Sequence, residues 1–205
     1  MKKSEKDNYI YVADSPDWLK TDSPFDQLDD DWHKIIVFFV LHVPAEGVSF
    51  RSKSLASYGW GSKSGQDDFK RLKARLIKYS EMSGEDFVCV DSYKKLKVEL
   101  QHMDLQEFNP QIERQIIIIR KDKSGENESL FSHIRNAFAH GHVSFINIKD
   151  DVAVILEDIN NEKAVSARMI IYKSSLLNWI KVIEAGPFIS NDDLDKEFYD
   201  TGING

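Results

Sequence analysis

The sequence predicts a mainly α fold with a small antiparallel β-meander set before the last helix. Three observations carry that prediction. Apolar residues recur at helical spacing through much of the first 140 positions, for example Phe69, Leu72, Leu76 and Ile77. Start and stop residues bracket these stripes: Asp29, Asp30 and Asp31 precede one, Asn109-Pro110 precedes another, and Gly141 closes a third. After Gly141 the period changes, and β-branched segments alternate between polar breaks at 149–151 and 160–161.

The 205 residues suit one domain. It divides into an acidic N-terminal arm over 1–28, a core over 29–186 and an acidic tail over 187–205. Hydrophobic residues make up 41%, enough for a sizeable core. The single cysteine, Cys89, excludes an intramolecular disulfide and suits a reducing cytosol, so a cytoplasmic location is expected. The opening Met-Lys-Lys-Ser-Glu-Lys-Asp has no apolar stretch behind its lysines and does not read as a signal peptide. The longest apolar run, 35–41, is too short to span a membrane. The net charge of −7 has the wrong sign for a protein that coats nucleic acid. The charge is uneven, however. Residues 13–31 hold seven aspartates against one lysine, and residues 51–80 hold eight lysines or arginines against Asp67 and Asp68. An acidic protein can still grip RNA through such a local patch.

Taken in order, residues 1–28 read as a loosely ordered arm with aromatic anchors Tyr9, Tyr11 and Trp18. The three aspartates at 29–31 open a helix, because carboxylates favour its N-terminal end. The run 32–43 is apolar on nearly all sides and reads as a buried central helix, with a strand as the alternative; Pro44 ends it. Residues 45–65 are rich in Gly and Ser and read as a flexible surface loop. A phosphate-cradling loop would need Gly-Lys-Ser/Thr in succession, and Ser62 separates Gly61 from Lys63. Residues 66–79 form an amphipathic helix with Lys70, Arg71, Arg75 and Lys78 opposite its apolar stripe. That basic face is either solvated charge or a weak RNA-backbone track. Asp91 or Ser92 caps a helix running to about 102. Asn109-Pro110 opens a helix over 111–121, with Ile112, Ile116 and Ile119 on one face. After a polar turn comes the helix over 126–140. The meander takes 143–148, 152–156 and 165–171. Ser174 or Ser175 caps a last helix over 176–185, which Gly186-Pro187 stops, and residues 190–205 are expected to be disordered.

The chain is organised around the stretch Leu-Phe-Ser-His-Ile-Arg-Asn-Ala-Phe-Ala-His-Gly-His over 130–142. Wound as a helix, it gathers Leu130, Phe131, Ile134, Ala137 and Phe138 on one side as a core stripe. Ser132, Arg135, Asn136, Ala139 and His140 share the other side. A guanidinium, an amide and an imidazole around a small alanine make an unusual surface. Asn136 and His140 are four residues apart and therefore neighbours. This run, Arg135-Asn136-x-x-x-His140, resembles the Arg-x(4–6)-His motif of HEPN domains, including the polar residue after the arginine. The similarity is strong over 128–142 and extends to about 185, with no clear match over the first hundred residues. It implies an antiparallel helical bundle that dimerises so that paired Arg and His line a shared cleft. It further implies a metal-independent endoribonuclease, often a toxin or a phage-defence effector. The partners implied are RNA, a second copy of the chain and an antitoxin or defence-system protein. HEPN toxins paired with nucleotidyltransferase antitoxins often carry a tyrosine two residues after the histidine. His142 stands there in this chain, so regulation through such a tyrosine does not carry over.

The residues themselves fit that chemistry. Cleavage of RNA by its own 2′-hydroxyl needs a base, an acid for the leaving 5′-oxygen, and a donor for the charge on phosphorus. Histidine serves as base or acid near neutral pH. Arginine offers a fork of donors matched to phosphate. Asn136 can hold the imidazole or bind a phosphate oxygen. The expected catalytic set is Arg135, Asn136 and His140. No cofactor and no metal is expected, although His140-x-His142 offers two ligand types at close spacing. The competing reading pairs Arg135 with an acid such as Glu128 and lets His140 cap a carbonyl. In that case the chain is a catalytically silent dimer that binds RNA or protein. His33, His42, His102 and His133 show no spacing that suggests chemistry.

Overall fold

The computed structural model describes residues 9–10, 29–45, 47, 53–61, 66–106, 114–123 and 125–199. The N-terminal arm, apart from residues 9–10, and the Asn109-Pro110 cap lie outside them. The elements in chain order are α1 (Asp30–Ile36, continued by a π-helical turn over Val37–Leu41), α2 (Gln66–Tyr79), β1 (Phe87–Val90) and α3 (Tyr93–His102). Then come β2 (Ile116–Arg120), α4 (Glu126–His140), β3 (Val143–Ile148), β4 (Asp151–Ile159), β5 (Val165–Tyr172), α5 (Lys173–Ala185) and α6 (Asn191–Tyr199).

The strands form one five-stranded sheet in the order β1-β2-β5-β4-β3. β1 and β2 run parallel, joined across α3, while the remaining neighbours are antiparallel. This corrects the expected mainly α bundle with a small meander: the fold is α+β, with the meander extended by a parallel pair into a mixed sheet. The helix expected over 111–121 is the reason for the error. Within it, Ile116 to Ile119 are all fully buried and form β2, between β1 and β5. Ile117 and Ile119 face one apolar cluster and Ile116 and Ile118 the other. A strand covered on both faces loses the polar alternation that marks a half-buried strand, and its apolar run also satisfies helical spacing. The short β1 was not anticipated at all.

The larger core joins α1, α2, α4 and α5 to one face of the sheet, and the smaller packs α3 on the other. The helix starts obey ordinary capping. Asp29 accepts from the Trp32 N–H at 2.9 Å, and Ser92 accepts from Lys95 N–H. The run after residue 32 is helical rather than a strand. The Gly- and Ser-rich region is more than a surface loop: Leu55 and Trp60 are buried, and the Trp60 indole donates to the Ile183 carbonyl at 3.0 Å. The tail expected to be disordered contains α6, opened by Ser190, whose hydroxyl accepts from Asp193 N–H. Leu194 enters the larger core, so residues 191–199 are ordered by docking despite their acidity.

Candidate active site

α4 spans Glu126–His140, as its sequence pattern predicted, with Glu126 and Glu128 in the first turn, where carboxylates meet the positive helix end. Gly141 closes it with φ +72°, and the His142 N–H donates to the Ala137 carbonyl at 2.9 Å. Leu130, Phe131, Ile134 and Ala137 are buried in the larger core. On the opposite side Arg135 and Asn136 are half-buried and Ala139 and His140 are exposed. The core stripe is the one expected from the helical wheel, while on the face expected to be polar Ser132 is buried.

The helix borders an open cavity of about 280 Å³ at the end of the sheet. Ser132, Asn136 and His140 line it from three successive turns of α4. Arg120, at the end of β2, and Asp158, near the end of β4, line the other sides. Arg135 does not line the cavity but is tied to it, donating from Nη1 to Asn136 Oδ1 at 3.2 Å. Asn136 in turn donates to Asp158 Oδ2 at 3.4 Å. His140 makes no hydrogen bond or ion pair among the described residues; its ring lies 6.2 Å from that of His142. Arg135 forms no ion pair among them either, and its Nε is buried without a partner. The pairing with Glu128 and the carbonyl cap that a structural role would require are absent among these residues.

A buried pair beneath the cavity was missed by sequence reasoning. His133 Nδ1 lies 2.6 Å from Asp158 Oδ2, and His133 Nε2 lies 2.8 Å from the Arg120 carbonyl. A carbonyl can only accept, so Nε2 must carry a proton. The contact with Asp158 then holds a second proton, whether bound to the ring or to the carboxyl. Either way the pair is net neutral, which makes its burial tolerable. The sequence shows no spacing around His133 that suggests chemistry, because Asp158 stands twenty-five residues further on. The available signal was β4 itself, an apolar strand that carries Glu157 and Asp158 just before its last residue. Glu157 faces the other way and pairs with Arg168 at 2.6 Å.

The basic face of α2 is placed elsewhere. Arg75 is buried; its Nε donates to Asn191 Oδ1 at 3.1 Å, its Nη1 to the Gly186 carbonyl at 3.0 Å and its Nη2 to the Ile189 carbonyl at 2.6 Å. Burial pushes its guanidinium down from the usual value. Arg71 donates to the Pro187 carbonyl, and Lys78 meets Asp195 at 2.7 Å. The hydrogen bond with Asp195 holds the Lys78 ammonium above its usual range and that carboxyl below its own. Lys70 is exposed, 3.9 Å from Asp67. These four side chains are not brought together with Arg135, Asn136 and His140. Burial raises the Cys89 thiol to about 11, which keeps it unreactive. Among the described residues there is no group of three His, Cys, Asp or Glu side chains arranged to hold a metal, and no helix long and apolar enough to cross a membrane.

A protein-family model described as HEPN pEK499 p136 matches residues 70–185, more than half of the chain. The match begins inside α2 and ends with α5, so it takes in the whole sheet as well as the motif helix. It reaches back well before the motif, further than the wording of the sequence suggested. No curated protein and no solved structure matches.

Proposed function

The chain belongs to the HEPN family, and from that premise we propose that it is a metal-independent endoribonuclease whose site is built on Arg135, Asn136 and His140. The observation that carries this reading is the uncommitted His140 imidazole, exposed at the end of α4 and opening onto the cavity that Asn136 also lines. In the reaction a histidine takes the proton of a ribose 2′-hydroxyl. The 2′-oxygen bonds to phosphorus, the bond to the 5′-oxygen breaks, and an acid protonates that leaving oxygen. Arg135 spreads donors over the phosphate as its negative charge grows. Asn136, held by Asp158 on one side and by Arg135 on the other, fixes the guanidinium relative to the helix. One protomer supplies one motif histidine, so a two-fold dimer that opposes two α4 helices supplies both base and acid. Ala139, small and exposed between Arg135 and His140, permits the close approach this requires. Slowed bacterial growth, and a cognate antitoxin or defence partner, belong to the same reading.

The test is cleavage of an end-labelled RNA by the purified chain in excess EDTA, followed by end-group analysis. The reading expects a 2′,3′-cyclic phosphate and a free 5′-hydroxyl, with full resistance where the cleaved position is 2′-deoxy. Products with a 5′-phosphate, or cutting that EDTA stops, would falsify it. RNA that is bound and never cut would make the chain a binding module instead.

A further inference from the structure

Three arginines of this molecule show what the fold does with a guanidinium, and the third departs from the other two. Arg75 spends Nε, Nη1 and Nη2 on three oxygens of the C-terminal segment. Arg168, buried in β5, spends Nε on Glu157 and Nη1 on the carbonyls of Leu105 and Gln106. Arg120 is half-buried, yet its guanidinium makes no hydrogen bond or ion pair among the described residues, and its Nε is shut off from water with no acceptor. A buried donor left without a partner is a cost that folds seldom carry. It is also not a floppy side chain. Its guanidinium carbon sits 4.6 Å from the centroid of the Tyr93 ring, where the aromatic face holds a cation. Tyr93 is itself fixed: its hydroxyl accepts from Asn160 Nδ2 at 2.8 Å and lies 3.3 Å from Ser166 Oγ, and its ring packs on Tyr9. The fold therefore orients the Arg120 fork without filling it, at the wall of the cavity that Asn136 and His140 share.

We propose that Arg120 is a substrate-binding residue that takes a backbone phosphate of the RNA, one next to the phosphate at which Arg135 and His140 act. The proposal rests on the ribonuclease reading. Two carboxylates also line the cavity, and neither consumes Arg120. Asp158 is neutralised by His133, and Asp122 is bonded to Ser129 at 2.8 Å. That leaves a permanent, pre-oriented cation facing a space that a nucleotide enters, and a phosphate oxygen supplies an acceptor for its Nη donors, which unlike Nε are not shut off from solvent.

The experiment measures binding rather than cleavage, so that it separates this proposal from the reaction. The full chain is titrated with a fluorescent 2′-O-methyl RNA, which cannot be cut, across a series of salt concentrations. Arg120→Gln is expected to bind about ten-fold more weakly, and its slope of log affinity against log salt to fall by about 0.7, one phosphate contact on a single strand. Arg120→Lys, which keeps the charge and loses the fork, is expected to keep the slope and lose only part of the affinity. Lys149→Gln, a cation lost from the β3–β4 turn beyond the opposite end of β4, is expected to change neither. Thermal melting confirms that each variant is folded, and Arg120→Lys stands in if Arg120→Gln is not. Wild-type affinity and slope in folded Arg120→Gln would overturn the proposal and leave the ribonuclease reading intact. Absence of RNA binding by the wild-type chain would overturn both.

Discussion

On α2, Arg75 and Lys78 give their hydrogen bonds to the chain's own C-terminal segment, whereas at the end of α4 Arg135, Arg120 and His140 keep most of theirs unspent. In the sequence the first group is the conspicuous one, five cations within nine residues of a clear amphipathic helix. The second is scattered over β2 and α4 and hardly alters the local charge. The difference teaches that a count of cations measures supply and not availability. α6 and the turn before it bring carbonyls, Asn191 and Asp195 onto the basic face and use it as a docking surface. Among the described residues no segment spends Arg135 Nε or the His140 ring of the motif helix in the same way.

Several substitutions sharpen that contrast. The largest effect on stability is expected beneath the cavity. Asp158→Ala leaves the buried His133 without its hydrogen-bond partner, and breaking such a buried pair costs about 3–5 kcal/mol. Urea unfolding would register this as a lower midpoint, and a change below about 1 kcal/mol would mean that His133 had adjusted without loss. Arg75→Ala comes next. It strips three hydrogen bonds from residues 186–191 and is expected to cost about 3 kcal/mol, with little direct effect on the cavity. If that variant instead kept its stability and lost RNA binding, the division of labour between the two faces would be broken.

The smallest expected effect is a pH dependence of α6 docking. Asp195 has a lowered pKa, so its contribution is present above its unfolded value and is lost as pH falls through the folded one. Lys78 has a raised pKa, so its contribution is present below its unfolded value and is lost as pH rises through the folded one. Hydrogen-exchange protection factors of the α6 amides, corrected for the intrinsic pH dependence of exchange, should therefore be highest between these limits and fall first on the acid side. Asp195→Asn should flatten the acid limb, and an unchanged limb in that variant would place its cause elsewhere. Both groups are solvent-exposed, so high salt should shrink the effect.

What the sequence disclosed follows from the range of the interactions involved. The motif helix was legible to its ends because its signals are local: acidic residues in the first turn, a four-residue apolar spacing, and Gly141 at the stop. The antiparallel strands after it were legible as β-branched runs between polar breaks. The β1–β2 pair was not, since β2 is buried on both faces and β1 is only four residues long. α6 was hidden because its apolar side, chiefly Leu194 and Phe198, is thin within an acidic segment and becomes a helix face only when docked. Within the site, Arg135, Asn136 and His140 share one helix and could be read together. Arg120, His133 and Asp158 are brought together by β2, α4 and β4, and only the sheet makes them neighbours.

The most direct measurement of the central claim is the rate at which one labelled RNA is cut by the wild-type chain, by His140→Ala, and by Lys70→Gln with Lys78→Gln, all folded at the assay temperature. Losing an acid–base group should slow cleavage by about a hundred- to ten-thousand-fold. Losing two exposed charges should change it by less than about two-fold at physiological salt, where such charges are screened. A His140→Ala protein that cuts at nearly the wild-type rate, or a lysine double variant that loses as much as His140→Ala, would contradict the account.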